Sequence, residues 1–152
     1  MNLKRFLAIA VLFLMSFQGY ASHLLGGEIV WKCKPNGKYQ FTLVLYRECG
    51  GITLPTSAQS LATNAGVSIS CAFISTTDVV PSCYTGTTTC AGATSGTGKM
   101  QKYVYRSGDI TLTGTPPASG WYFTWSSCCR PSSITNVVSP GGASYLLRAV
   151  MY

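Results

Sequence analysis

The chain is short of the groups that do chemistry. Among 152 residues it has four carboxylates, Glu28, Glu48, Asp78 and Asp109, and one histidine, His23. A thiol or hydroxyl nucleophile needs a base held beside it, and His23 lies near the N-terminus with no partner in sight. A paired-carboxylate hydrolase needs two acids about 5–10 Å apart. Only Glu28 and Glu48 are brought near one another by a hairpin, and no motif marks them. The four acids match no calcium loop. Zinc sites show paired ligands at short spacing, and the chain has no CxxC pair. The eleven Lys and Arg are scattered, whereas a nucleic-acid site needs clustered cations to displace counterions. No stretch keeps a helical period over three turns, and no internal repeat is visible. The expectation is a protein with no catalytic residue, no metal, no cofactor and no nucleic-acid partner.

One apolar run is present, at residues 6–17, behind Lys4 and Arg5 and ahead of Gly19-Tyr20-Ala21. A positive start, a short apolar stretch and a small-x-small end are the marks of a secretory signal. The run is about a dozen residues, against roughly 20 for a spanning helix. Residues 1–21 are therefore expected to be a cleaved signal peptide, with no transmembrane segment afterwards. No cysteine stands near the cleavage point, so a lipoprotein is not expected. Residues 22–152 have the size of one domain, large enough to bury about two-thirds of the unfolded surface. Losing Lys4 and Arg5 leaves nine cations against four carboxylates, so the +7 of the whole chain becomes +5. The C-terminal residues 145–152 read as a strand, and the chain is expected to be the first part of a longer protein.

All seven cysteines, Cys33, Cys49, Cys71, Cys83, Cys90, Cys128 and Cys129, follow the signal. In an exported chain they are candidates for a disulfide framework. Pairing does not follow from one sequence. Cys83 and Cys90 flank a Thr/Gly-rich loop and are one pair that could close it. Cys128 and Cys129 are neighbours that a strand would point to opposite faces, so they are expected to bridge to different partners. An odd count leaves at least one thiol free, unless a partner chain or a downstream part of the protein supplies its mate.

What is abundant is Thr, Val, Ile, Tyr and Trp, punctuated by Gly and Pro, which favours strand. The first hairpin, residues 28–49, is the clearest element. A two-residue Asn36-Gly37 turn would mix its faces. A three-residue Pro35-Asn36-Gly37 loop pairs Cys33 with Tyr39, Trp31 with Phe41 and Ile29 with Leu43, so the large apolar residues share one face. A one-residue slip moves every side chain to the wrong face. Pro35 suits the second place of a type I turn and Gly37 the left-handed residue of the bulge. Residues 50–66 read as loop with room for a short strand. Val67, Ile69, Cys71 and Phe73 alternate as a half-buried strand. Residues 75–98 read as a loop pinned by cysteines. Strands are expected at 101–106 and 109–113, at 121–126 and at 145–152, with short structure at 134–138. This pattern predicts an all-β domain, an antiparallel β-sandwich stapled by disulfides.

Trp31 and Trp121 lie in strands among apolar neighbours and are expected in the core. Trp125 adjoins Ser126-Ser127 near a strand end and is the candidate for stacking on a ligand such as a sugar ring. Arg47 and Arg130 stand next to cysteines; each is expected to bond loop carbonyls beneath the disulfides rather than to bind a ligand.

Several motifs resemble the N-terminal region of large secreted surface proteins of gliding and related Bacteroidetes. They are Ser22-His23-Leu24-Leu25-Gly26-Gly27-Glu28-Ile29, Tyr46-Arg47-Glu48-Cys49, residues 78–84 (DVVPSCY), 110–121 (ITLTGTPPASGW), and Ser127-Cys128-Cys129-Arg130 with Ile134-Thr135-Asn136. Such proteins often end in a gliding-motility-associated C-terminal domain that serves as a type IX secretion signal. The resemblance covers nearly all of residues 22–152 and implies a secreted, cell-surface location. It implies a non-catalytic structural or adhesive module, with downstream domains or other surface proteins as partners. The alternative is a carbohydrate-binding module that uses exposed aromatics.

Overall fold

The computed structural model describes residues 24–80, 86, 89–92, 98–128, 130 and 134–152. The expected signal peptide at residues 1–21, His23, Cys83 and Cys129 lie outside them. The seven strands are β1 (Leu24–Cys33), β2 (Tyr39–Glu48), β3 (Gln59–Thr63), β4 (Ile69–Val79), β5 (Met100–Ser107), β6 (Trp121–Ser127) and β7 (Tyr145–Met151). A 3₁₀ turn, Pro140–Gly142, precedes β7. No helix among the described residues is long and apolar enough to cross a membrane.

The expected hairpin forms in the expected register. Cys33 faces Tyr39, Trp31 faces Phe41 and Ile29 faces Leu43. Gly37 sits at φ 73°, the left-handed conformation that costs glycine least. Its amide donates to the Lys34 carbonyl, and Asn36 Oδ1 accepts the Lys38 amide at 3.1 Å. Phe41, Leu43 and Leu45 are buried on one face, while Val30 on the other is 46% exposed.

All strand pairs are antiparallel, and the order is β1-β2-β5-β4-β3-β6-β7. The domain is all-β, as expected. In place of two separate sheets there is one continuous sheet, bent at β3. The first residues of that strand pair with β4, and its last two, Ala62 and Thr63, pair with β6. Asn64 locks the corner: Nδ2 donates to the Gly120 carbonyl and Oδ1 accepts the Tyr122 amide. The bend carries β6 across the core, where Phe123 meets Phe41 with ring centroids 4.5 Å apart.

β1 and β7 are the two ends of the sheet, and the bend brings them side by side. Gly27 is the contact. A Cβ there would sit on the Val44 carbonyl oxygen, 2.8 Å from Leu147 Cδ1 and 2.9 Å from Leu45 Cδ2. The two leucine methyls can shift, but the Val44 oxygen is backbone and cannot, so Gly27→Ala is expected to cost roughly 1–3 kcal/mol by overpacking. Urea unfolding of the variant measures this; an unchanged midpoint would show that β1 and β7 can part freely.

The short strand that residues 50–66 had room for is β3, residues 59–63. Two strand expectations are corrected. The half-buried strand from Ile69 runs on to Val79, with a bulge between Phe73 and Ser75 that leaves Ile74 exposed. Residues 109–113 form no strand; only Ile110 bridges back, to Tyr39. The ladder breaks because Ser107 Oγ accepts the Phe41 amide at 2.9 Å and donates to the Gly108 carbonyl. The Ile110 bridge is then one residue out of step with the β2–β5 register.

Candidate functional site

Where β1 and β7 end and β2 and β6 begin, the sheet leaves a cleft of about 320 Å³. Ligand sites run from roughly 300 to 1,000 Å³, and this cleft is at the small end of that range. Trp31 and Tyr39 come from the first hairpin, Trp121 and Met151 from β6 and β7, and Tyr152 from the residue after β7. Leu112, Gly114 and Pro116 come from the connection between β5 and β6. Trp121 and Met151 are nearly buried, whereas Tyr152 is 84% exposed. No carboxylate, imidazole, thiol or cation is among these lining residues.

Two contacts hold the 112–116 wall in place. Tyr39 and Ile110 exchange both backbone hydrogen bonds at 2.8 Å. Asp109 receives Lys34 Nζ at 2.5 Å and Asn36 Nδ2 at 3.0 Å from the hairpin tip. Those bonds, the one from Lys34 first, hold the Asp109 carboxyl below the usual range. The hairpin loop that alternation selects therefore also sets the wall of the cleft.

Trp125 is buried, where its place beside Ser126-Ser127 had suggested an exposed ring. Positions 121, 123 and 125 of β6 all face inward, Trp125 is 8% exposed, and its indole N–H donates to Gln59 Oε1 at 3.2 Å. The serines beside it are exposed by alternation and do not bring it out. Trp31 and Trp121 pack in or against the core as expected, yet both also line the cleft. Tyr39 and Tyr152 were not singled out by the sequence. The only signal for Tyr39 is its place opposite Cys33 at the hairpin end; nothing local marks Tyr152.

The carboxylates weighed as a pair stay apart. Glu28 faces Val44, four residues from Glu48, roughly 13 Å along the strand. Among the described residues no three His, Cys, Asp or Glu side chains gather where they could hold a metal ion.

The cysteine arrangement differs from one expectation. Cys90 bridges to Cys49 at the end of β2, not to Cys83. Cys128 is also disulfide-bonded. Cys33 and Cys71 keep free thiols, the first exposed and the second buried. A polar cluster surrounds the Cys49–Cys90 bridge. Arg47, 6% exposed, donates to the carbonyls of Glu48, Cys49 and Gly51 and doubly to Gln101 Oε1. That is the role expected of it. Arg130 likewise donates to the Ser144 carbonyl and lies over the Tyr145 ring. Asp78 accepts the Cys90 amide and Gln101 Nε2, both at 2.8 Å. These bonds, the amide first, hold its carboxyl below the ordinary value.

Burial pushes the Cys71 thiol up to about 11. At pH 8 only about one in a thousand such groups is thiolate, the reactive form, and access is closed as well. Iodoacetamide on the native protein is expected to modify Cys33 quickly and Cys71 only after unfolding. Peptide mass spectrometry reads both; prompt labelling of Cys71 would mean that β4 opens on its own.

Comparison with protein-family models, curated proteins and solved structures finds no match.

Proposed function

We propose that this chain is a non-catalytic adhesive module of an exported cell-surface protein, a disulfide-stapled β-sandwich released from a signal peptide at residues 1–21. The observation that carries it is the aromatic cleft. Rings from four separate places converge on it, and its lining holds no group able to move a proton near neutral pH. A lining of this kind suits binding. The Cys49–Cys90 bridge supports export, since disulfides persist where the environment is oxidising. The bend at β3 supports the sandwich description, because β6–β7 faces the other strands across a shared core. Partners of this kind of module are its own downstream domains, other surface proteins, or glycans.

The test is expression of the full chain in a secreting bacterial host, followed by intact mass of the protein in each compartment. Export predicts a product beginning at Ser22 with Cys49 and Cys90 bridged, and retention of that product on cell surfaces. An uncleaved, fully reduced chain confined to the cytoplasm would overturn the reading.

A further inference from the structure

We propose that the cleft formed by Trp31, Tyr39, Trp121 and Tyr152 is a binding site for a neutral sugar ring of a surface polysaccharide. This rests on the adhesive reading above and gives its ligand a chemical class.

Charge narrows the ligand first. An ion moved into the cleft would lose hydration and find no opposite charge among the lining residues, and burying an unpaired charge is costly. The ligand is therefore neutral. Aromatic faces narrow it next. A π-face is electron-rich and attracts the polarised C–H bonds of a flat apolar surface. Tyr and Trp also carry a polar tip, so each ring pairs an apolar face with an O–H or N–H. A pyranose has the same two characters, with C–H faces and a rim of hydroxyls. Gly114 adds backbone without a side chain in front of it; a Cβ there would meet nothing within 4 Å.

The frame is ready to bind. Trp31 leans on Phe123, with ring centroids 6.2 Å apart. Trp121 and Met151 are nearly buried and form a fixed floor. Aromatic side chains have only two rotatable bonds, so holding them costs little entropy. Tyr152 lies at the rim with 84% of its surface in water, its ring beside Gly120.

A proline-rich peptide is the competing occupant. It extends about 3.1 Å per residue and needs a long groove. The cleft is at the small end of ligand sites. Pro116 of this chain already forms part of its wall. A compact ring fits these facts better than an extended helix.

The experiment is an NMR titration of the oxidised chain, residues 22–152, with cellotetraose, xylotetraose, chitotetraose and mannotetraose, and separately with a proline decamer. At least one glycan is expected to shift the indole N–H signals of Trp31 and Trp121 saturably, with the same Kd at low and high salt. Tyr152→Ala, an exposed change that leaves the melting temperature alone, is expected to weaken binding about tenfold, the scale of an aromatic anchor. Trp31→Ala is expected to do the same or more, and Trp125→Phe nothing. If no glycan shifts these signals, or the proline decamer alone does, the proposal fails. If glycans bind and both Tyr152→Ala and Trp31→Ala bind as the parent does, it fails as well. A chain that is exported and adheres but ignores all four glycans loses this inference and keeps the adhesive reading. A chain that binds a glycan here but stays in the cytoplasm does the reverse.

Discussion

Replacing Cys49 and Cys90 together by serine is expected to lower the free energy of unfolding by about 4 kcal/mol. The two cysteines are 41 residues apart, and a bridge over that span removes about this much loop entropy from the unfolded chain. Domains of this kind hold only about 5–15 kcal/mol in all. The melting temperature is expected to fall by roughly 10–15 °C. Among the described residues the loop is also held by the Cys90 amide on Asp78 and by Lys99 Nζ on the Thr89 carbonyl, each weaker than the bridge. Asp78 also gives the region a pH dependence. Its folded carboxyl is held below the ordinary 3.8. Its contribution is complete above that value and is lost as pH falls through the lower folded one. Calorimetry without reductant, at neutral pH and near pH 3, compares variant and parent. A loss under about 1 kcal/mol would show that the β-ladders hold the segment without the bridge.

Phe123→Ala is expected to cost about the same, roughly 3–5 kcal/mol. Phe123 has no exposed surface and packs between Phe41 of β2 and Trp31 of β1. It is the side chain through which the β6–β7 half of the sheet meets the first hairpin. Its removal leaves a cavity that two strands of fixed register cannot collapse to fill. Urea unfolding measures the loss, and Phe123→Leu is expected to recover more than half of it. A cost below about 1.5 kcal/mol would mean that the core relaxes around the gap. Trp31 would also lose its support, so the cleft is expected to soften with the core.

The first hairpin was legible to the residue. Alternation along Ile29, Trp31, Phe41 and Leu43 admits one register, and the turn residues agree with it. β6 was legible for the same reason, since Trp121, Phe123 and Trp125 must share a face. The burial of Trp125 is not set by Ser126 and Ser127 beside it. Its exposure depends on what lies across the core, and there Gln59 of β3 receives its indole N–H. Residues 109–113 carry a fair strand pattern, but one hydroxyl, Ser107 Oγ, takes the amide where a ladder would continue.

The sequence by itself determined the all-β class of the fold, because local rules suffice for it: few helix formers, β-branched and aromatic alternation, and turn residues at fixed places. It determined as well that Arg47 would bond carbonyls beside a cysteine, since both lie within a few residues of one another. The partner of Cys90, the bend at β3 and the cleft were decided only by the tertiary structure. Each joins residues far apart along the chain: Cys49 to Cys90, Asn64 to Tyr122, Trp31 to Tyr152. Contacts across such distances are chosen by how whole faces pack together, and no local pattern in the sequence records that choice.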